Sequence, residues 1–447
     1  MISWDAERVA SAAEAELLSA SGRSGGPARA VIDSRAIGAG DLFVGLPGEH
    51  VDGGGFAAAA LEAGAWGVLV APAHARELRG DGVILAAEEP LAALQTLARA
   101  WRRALGARVV AITGSVGKTS TKDLAAAMIG PHRSTVASRA NFNTEIGLPL
   151  EVLSAPEQTD VLVLELAMRG AGQIAELTAI CEPDVAVITN IGPVHLEILG
   201  SIEAIAAAKA ELTDGLVAGA MAVLPHGEGL LDAHRRADLD VVTFGGEGAD
   251  VRWVGPGVVS FHGEDVALDI GLTAAHQRAN ALAAYAAARG VGTQPSGRID
   301  VTLSALRGER VDLPGGAVLI DDCYNANPLS MRAALDDLAA SEPAGRRVAV
   351  LGDMLELGPD EIALHREVGA VAARSGVELL ITVGPLAAEM LADYEGAGHA
   401  VADAAAAAEL AGRLLREGDL VLVKASRGVG LERVGRVLSA AAAEAAR

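Results

Sequence analysis

Residues 108–120 join an apolar run, Arg108–Thr113, to the turn Thr113-Gly114-Ser115-Val116-Gly117-Lys118-Thr119-Ser120 and then to a helix expected from about Thr119. This is the strongest constraint in the chain. A strand that feeds a glycine turn opening a helix implies a parallel sheet with helical crossovers. Successive backbone N–H groups and the helix N-terminus can cradle phosphate oxygens there. Lys118 would neutralise the β- and γ-phosphates, and the Thr119 hydroxyl would ligate Mg²⁺. The loop is shorter than the usual Walker pattern, because Ile112 stands where that pattern has its first glycine. An ordinary strand-to-helix turn with a solvated lysine would not require strand, two glycines, Lys-Thr and helix in succession. Gly114, Ser115, Val116, Gly117, Lys118, Thr119 and Ser120 are therefore the expected nucleotide loop. By itself the loop indicates a nucleoside triphosphate and leaves the reaction open.

The rest of the chain extends the α/β reading. Its 447 residues favour about two to four domains at roughly 100–200 residues each. Residues 1–98 alternate short strand-like pieces (Asp41–Leu46, Trp66–Ala71) with a short helix, Phe56–Ala63. Residues 99–312 hold the loop and two further buried-strand candidates, Asp160–Leu166 and Val185–Asn190. Both are continuous apolar runs ending in polar residues, the pattern of parallel strands covered on both faces. Val251–Ile270 alternates and reads as a β-rich addition. Residues 313–447 place Val318–Asp321, Arg347–Leu351, Leu379–Val383 and Leu420–Lys424 between helical stretches, a doubly wound α/β pattern. Ligands of such sheets bind at the carboxyl ends of the strands, so the polar residues after each strand are the ones to examine.

Bulk properties exclude several classes. A net charge of −22 leaves no basic face for general nucleic-acid binding. Cys181 and Cys323 are the only cysteines, too few for a disulfide framework or a zinc ligand set. The N-terminal residues lack a basic stretch followed by an apolar core, so no signal peptide is expected. No apolar run reaches the roughly 18 residues of a membrane span, and a soluble, cytoplasmic, monomeric protein is expected. Aromatics are only 3% of residues against 51% hydrophobic overall, so the cores must be built from Ala, Val, Leu and Ile.

Several polar residues stand at strand ends. Glu165 closes one buried run and His195 follows another, so the two could share a second Mg²⁺, which prefers oxygen and tolerates one nitrogen. The plain alternatives are a loop-capping carboxylate and a satisfied loop histidine. Lys209 lies on an expected helix capped by Ser201 and reads, on charge pattern alone, as a solvated lysine. Asp321-Asp322-Cys323-Tyr324-Asn325-Ala326-Asn327-Pro328 and Leu351-Gly352-Asp353-Met354 follow strands. Each is a polar turn or a contact for ribose or substrate.

Taken together these segments resemble the Mur ligases of peptidoglycan synthesis over nearly the whole chain. Asp322–Pro328 with Ser330-Met331, and Leu351–Gly358, look like the family member that attaches D-alanyl-D-alanine. The resemblance implies a small α/β N-terminal UDP-binding domain, a central P-loop ATPase-like parallel-sheet domain and a C-terminal Rossmann-like domain. It implies ATP and Mg²⁺ as cofactors, UDP-MurNAc-tripeptide and D-alanyl-D-alanine as substrates, and amide formation through an acyl phosphate. Asp33-Ser34-Arg35 resembles the motif near the UDP end, giving Ser34 and Arg35 a substrate role. Asn141, Asn143 and Thr144 resemble a segment facing the central cleft, and Tyr324, Asn325 and Asn327 join them as substrate contacts. Glu165 and His195 resemble ligands of a second Mg²⁺, and Lys209 the lysine that family members carbamylate. His276 and Asn280 resemble a nucleotide-binding segment, Arg310 an interdomain arginine on the phosphates, and Asp322 and Asp353 residues near the ribose. Lys424–Gly428 resembles the closing C-terminal motif. Two rivals are a folylpolyglutamate synthase or cyanophycin synthetase-like ligase, and a nucleotide-dependent switch that hydrolyses ATP without ligation.

Overall fold

In the computed structural model, residues 4–22 and 24–445 are described, and three sheets of five, ten and six strands organise them. The apolar run at the phosphate loop is the strand Arg108–Thr113, buried from Val109 onward and paired in parallel with Val161–Glu165 and Val185–Ile188. Thr135–Ala137 lies beyond the first neighbour, and Met221–Pro225 and Asp240–Gly245 beyond the second, all parallel. The alternating segment forms Val251–Gly255, Val258–Phe261 and Glu264–Asp269, an antiparallel meander added to one side of this central sheet.

Helix Lys118–Ile129 runs from the glycine turn and packs along helix Ala275–Gly290. Ala281, Ala283, Ala284 and Ala286 are fully buried on the second helix. Small side chains let two helices and a sheet approach closely with few aromatics. That meets the expectation of cores made of Ala, Val, Leu and Ile.

The N-terminal sheet orders Glu16–Ser21, Gly82–Ala86, Gly67–Val70, Leu42–Val44 and Ala30–Val31, antiparallel only at the first pair. Helix Pro90–Leu105 ties it to the central sheet. Ala93, Leu94, Leu97, Ala98 and Trp101 are buried at helical spacing in one apolar core that both sheets share. Trp101 closes this seam, with its ring edge-on to Trp4 at 5.2 Å and its Nε1–H donated to the Ala155 carbonyl at 3.1 Å.

The C-terminal sheet runs Glu309–Asp312, Val318–Asp321, Leu420–Lys424, Arg347–Gly352, Leu379–Val383 and Ala397–Val401, with only the first strand antiparallel. Apolar cores cover both of its faces, as a doubly wound sheet requires. The strand Glu309–Asp312 and the short edge strands Thr135–Ala137 and Ala397–Val401 fall where the sequence is mixed or exposed, and periodicity gave no signal for them. No helix among the described residues is long and apolar enough to cross a membrane.

Candidate active site

The glycine turn is held open by the neighbouring strand end. Val116 N–H donates to Asn190 Oδ1 at 3.0 Å, Asn190 Nδ2 donates to the Val116 carbonyl at 3.0 Å, and Thr189 Oγ1 donates to the same carbonyl at 2.6 Å. Gly117 has φ +81°, and a Cβ there would lie 2.5 Å from Asn280 Oδ1. Glycine is thus required both by the left-handed backbone and by the helix that presses on the loop. Lys118 Nζ, half-buried, donates to the Gly114 carbonyl at 2.8 Å. Burial lowers its pKa, the Glu165 carboxylate opposes that, and Arg307 adds to it.

Thr119 Oγ1 donates to Glu165 Oε2 at 2.8 Å, and Asn143 Nδ2 donates to Glu165 Oε1 at 2.8 Å. The loop hydroxyl and the strand-end carboxylate therefore meet. Arg307 Nη2 donates to Thr119 Oγ1 at 3.0 Å, and its guanidinium lies over the Tyr324 ring at 3.9 Å. The cation that reaches the phosphate loop is thus Arg307. Arg310, to which the sequence resemblance gave that position, lies on the strand Glu309–Asp312, where its guanidinium meets Ser341 Oγ at 3.2 Å and Asp337 at 3.5 Å. Leu306, with φ +62°, and Gly308, with φ +77°, turn the chain on either side of Arg307.

His195 sits after its strand in the left-handed region, φ +55°, with Nδ1 2.7 Å from Glu356 Oε2. Burial lowers its pKa, and the hydrogen bond and charge of Glu356 oppose the shift. Lys209 is not a solvated lysine. It is 2% exposed on helix Ile202–Asp214, and its ammonium has no hydrogen-bond or ion-pair partner among the described residues. Burial pushes its pKa well below the usual lysine range, and the charge of Lys118 adds to this. Ser201 caps that helix as expected, its Oγ accepting from Ala204 N–H at 3.1 Å.

Two cavities meet at the loop. The larger, about 920 Å³, extends from Gly117, Lys118 and Thr119 across His276 and Asn280 to Asp322 and Lys424 of the C-terminal sheet. Ser120, Asn141, Thr144 and Arg310 also line it. The smaller, about 570 Å³, lies against Arg169, Asn325, Asn327 and Arg427. Ser115, Lys118, His195 and Tyr324 line both, as do Asn141, Arg169, Asn325 and Asn327, so a group reacting at the loop can be reached from either side. Buried Lys424 shapes the wall, its Nζ bonded to Asp322 Oδ2 at 2.6 Å and to the Asn325 carbonyl at 2.9 Å.

Other expected residues lie apart. Asp353 lines neither cavity and instead accepts from the Ala387 amide at 2.6 Å, a buried turn contact. Ser34 and Arg35 also lie outside both cavities, and Arg35 pairs with Asp33 at the surface of the N-terminal domain. Sequence reasoning missed Arg307, Asn190, Glu356 and Arg169. Asn190 was within reach of the strand-end rule; nothing local distinguishes Arg307 from Arg310.

Among the described residues no three His, Cys, Asp or Glu side chains form a ready-made metal cluster. The Thr119 hydroxyl and Glu165 carboxylate are nonetheless paired oxygens at the loop, which suits a hard cation that keeps phosphate and water ligands of its own. The residues fit a metal that arrives with a nucleotide.

Three family descriptions match: the Mur ligase family catalytic domain over residues 30–102, the Mur ligase middle domain over 112–288, and the Mur ligase glutamate ligase domain over 306–427. The chain belongs to the Mur ligase family. Among particular proteins, it is 36% identical to the UDP-N-acetylmuramoyl-tripeptide–D-alanyl-D-alanine ligase of Bacillus subtilis, covering 90% of this chain and 91% of that one. It is 37% identical to the ligase of the same name from Mycobacterium tuberculosis, covering 91% of each. Its fold is similar to that of a MurF crystal structure from Acinetobacter baumannii (TM-score 0.86, 27% identity, 97% of this chain and 98% of that one). It is also similar to MurF of Thermotoga maritima in complex with ADP (TM-score 0.81, 29% identity, 93% and 98%).

Proposed function

We propose that this chain is an ATP-dependent ligase that joins D-alanyl-D-alanine to UDP-MurNAc-tripeptide through an acyl phosphate, in peptidoglycan precursor synthesis. The observation that carries this reading is the junction of two cavities at Lys118, with the Thr119–Glu165 pair beside it. ATP takes the larger cavity, its triphosphate on the glycine turn and its nucleoside toward His276, Asn280 and Asp322. Lys118 and Arg307 spread the γ-phosphate charge. Thr119, Glu165, His195 and a carbamylated Lys209 would hold Mg²⁺, which supplies charge neutralisation on the phosphates. The tripeptide carboxylate attacks the γ-phosphorus in line and releases ADP, a step of positioning and electrostatics. The dipeptide amine, entering from the smaller cavity, attacks the acyl carbon. The tetrahedral intermediate loses a proton from nitrogen and expels inorganic phosphate. Arg169 and Arg427 bring positive charge to the smaller cavity, where the dipeptide's carboxylate needs it. Tyr324, flanked by Arg307 at 3.9 Å and Arg427 at 5.8 Å, walls the reacting centre from water. The proposed form is a monomer in the cytoplasm.

The reading is tested by phosphate release with UDP-MurNAc-tripeptide and a panel of amines. Turnover is expected with D-alanyl-D-alanine and not with glutamate. Turnover independent of any amine would favour an ATP-hydrolysing switch instead. The two nearby arginines separate the site roles. Arg307→Ala is expected to lower kcat by about 10²-fold, the usual cost of one transition-state donor. Arg310→Ala should stay much closer to the parent rate, because its guanidinium is engaged by Asp337 and Ser341. The reverse order in steady-state kinetics would restore Arg310 to the phosphates.

A further inference from the structure

The described residues include seven non-glycine positions with positive φ, and three of them, Ala140, His195 and Glu356, line the smaller cavity. Strain of this kind persists only where surrounding contacts over-determine it, and it concentrates at functional sites. His195 and Glu356 are also bonded to each other, across 161 residues and across the boundary between the central and C-terminal sheets.

The turn that carries Glu356 is anchored on its own side. Met354 N–H donates to Nε2 of fully buried His365 at 2.9 Å, and Leu355 N–H donates to Ser426 Oγ at 3.0 Å. On the other side it seats against the His195 turn. A Cβ on Gly358, at φ +70°, would stand 3.3 Å from both the Cα and the backbone nitrogen of Glu197. The C-terminal domain thus presents a rigid carboxylate to an imidazole on the central domain. A carboxylate has no proton to give, so His195 Nδ1 carries the hydrogen, and in the neutral ring Nε2 keeps a free lone pair. A carboxylate bonded to the far nitrogen is the usual way a metal-binding histidine is oriented and held in one tautomer.

We propose that Glu356 is a positioning residue that makes His195 competent to bind metal only when the C-terminal domain is docked. The metal site and domain closure are thereby one event, and the acyl phosphate forms only in a site already closed over it. This rests on the metal role given to His195 above.

The test uses the full chain with Mn²⁺ as the probe, titrated by electron paramagnetic resonance beside adenylyl imidodiphosphate. Glu356→Ala is expected to weaken Mn²⁺ binding by about 10-fold or more while leaving the affinity for the nucleotide analogue without metal unchanged. Glu356→Gln, which keeps an acceptor oxygen for Nδ1–H, should recover most of the loss. If the two residues act as one unit, Glu356→Ala should add nothing to the Mn²⁺ defect of His195→Ala. Unchanged Mn²⁺ affinity in Glu356→Ala, or losses that multiply in the double variant, would overturn the proposal. A wild-type chain that binds no Mn²⁺ beside the analogue fails earlier: it removes the metal reading itself, and this inference with it.

Discussion

Lys118→Ala should abolish ligation for practical purposes, with kcat lower by about 10³-fold or more. Phosphoryl transfer leaves little covalent chemistry for the protein, so its contribution is charge placed in advance where charge develops. Lys118 is placed in this way. Its ammonium is half-buried, tied to the Gly114 carbonyl at 2.8 Å, and next to the Thr119–Glu165 pair. Burial already lowers its pKa, so a triphosphate arriving there gains a cation that is poorly solvated and correspondingly strong in its field. The same substitution should leave the fold intact, since among the described residues the Lys118 side chain bonds only within its own loop. Thermal unfolding near the parent temperature would establish that. Rapid-quench measurement of ADP formation on the folded variant is the decisive assay. A rate close to the parent's would mean that the turn does not grip the triphosphate.

Lys209→Ala should cost about 10²- to 10³-fold in kcat, for a different reason. A charged lysine that is 2% exposed as a residue and has no partner among the described residues is an expensive group to keep. Burial favours the neutral amine, and a neutral amine adds to carbon dioxide to give a carbamate and a proton. The product is an oxygen anion, which a hard cation prefers to any amine. Two observations follow beyond the rate. Labelled bicarbonate should give the folded protein a carbamate carbon signal that Lys209→Ala lacks. Short carboxylic acids such as acetate should restore part of the variant's activity by supplying the missing oxygens. Parent-like turnover in Lys209→Ala, with no carbamate signal in the wild type, would return Lys209 to a structural lysine.

Much of this fold was legible because buried parallel strands advertise themselves. Arg108–Thr113, Val318–Asp321, Leu379–Val383 and Leu420–Lys424 have the same limits in sequence and structure. Each is an apolar run that begins or ends in a polar residue or abuts one, and covering by helices on both faces leaves no alternation to confuse the reading. The strands that escaped are of the other kind. Glu16–Ser21 pairs antiparallel at an edge, Ala397–Val401 is mostly exposed, and Glu309–Asp312 holds three charged residues in four. Their backbone hydrogen bonds come from a neighbouring strand, and composition records nothing of that neighbour.

Sequence alone determined the α/β class, the glycine turn between strand and helix and the strand that ends at Glu165, because strand burial and glycine-turn chemistry are local. Tertiary structure decided which groups share the site. It put Arg307 rather than Arg310 on Thr119, through a left-handed turn at Leu306 and a strand that carries Arg310 away to Asp337. It buried Lys209 without a partner among the described residues and set Glu356 against His195 from a different domain. A side chain's neighbours across the fold depend on sheet order and domain docking, which no spacing along the chain records.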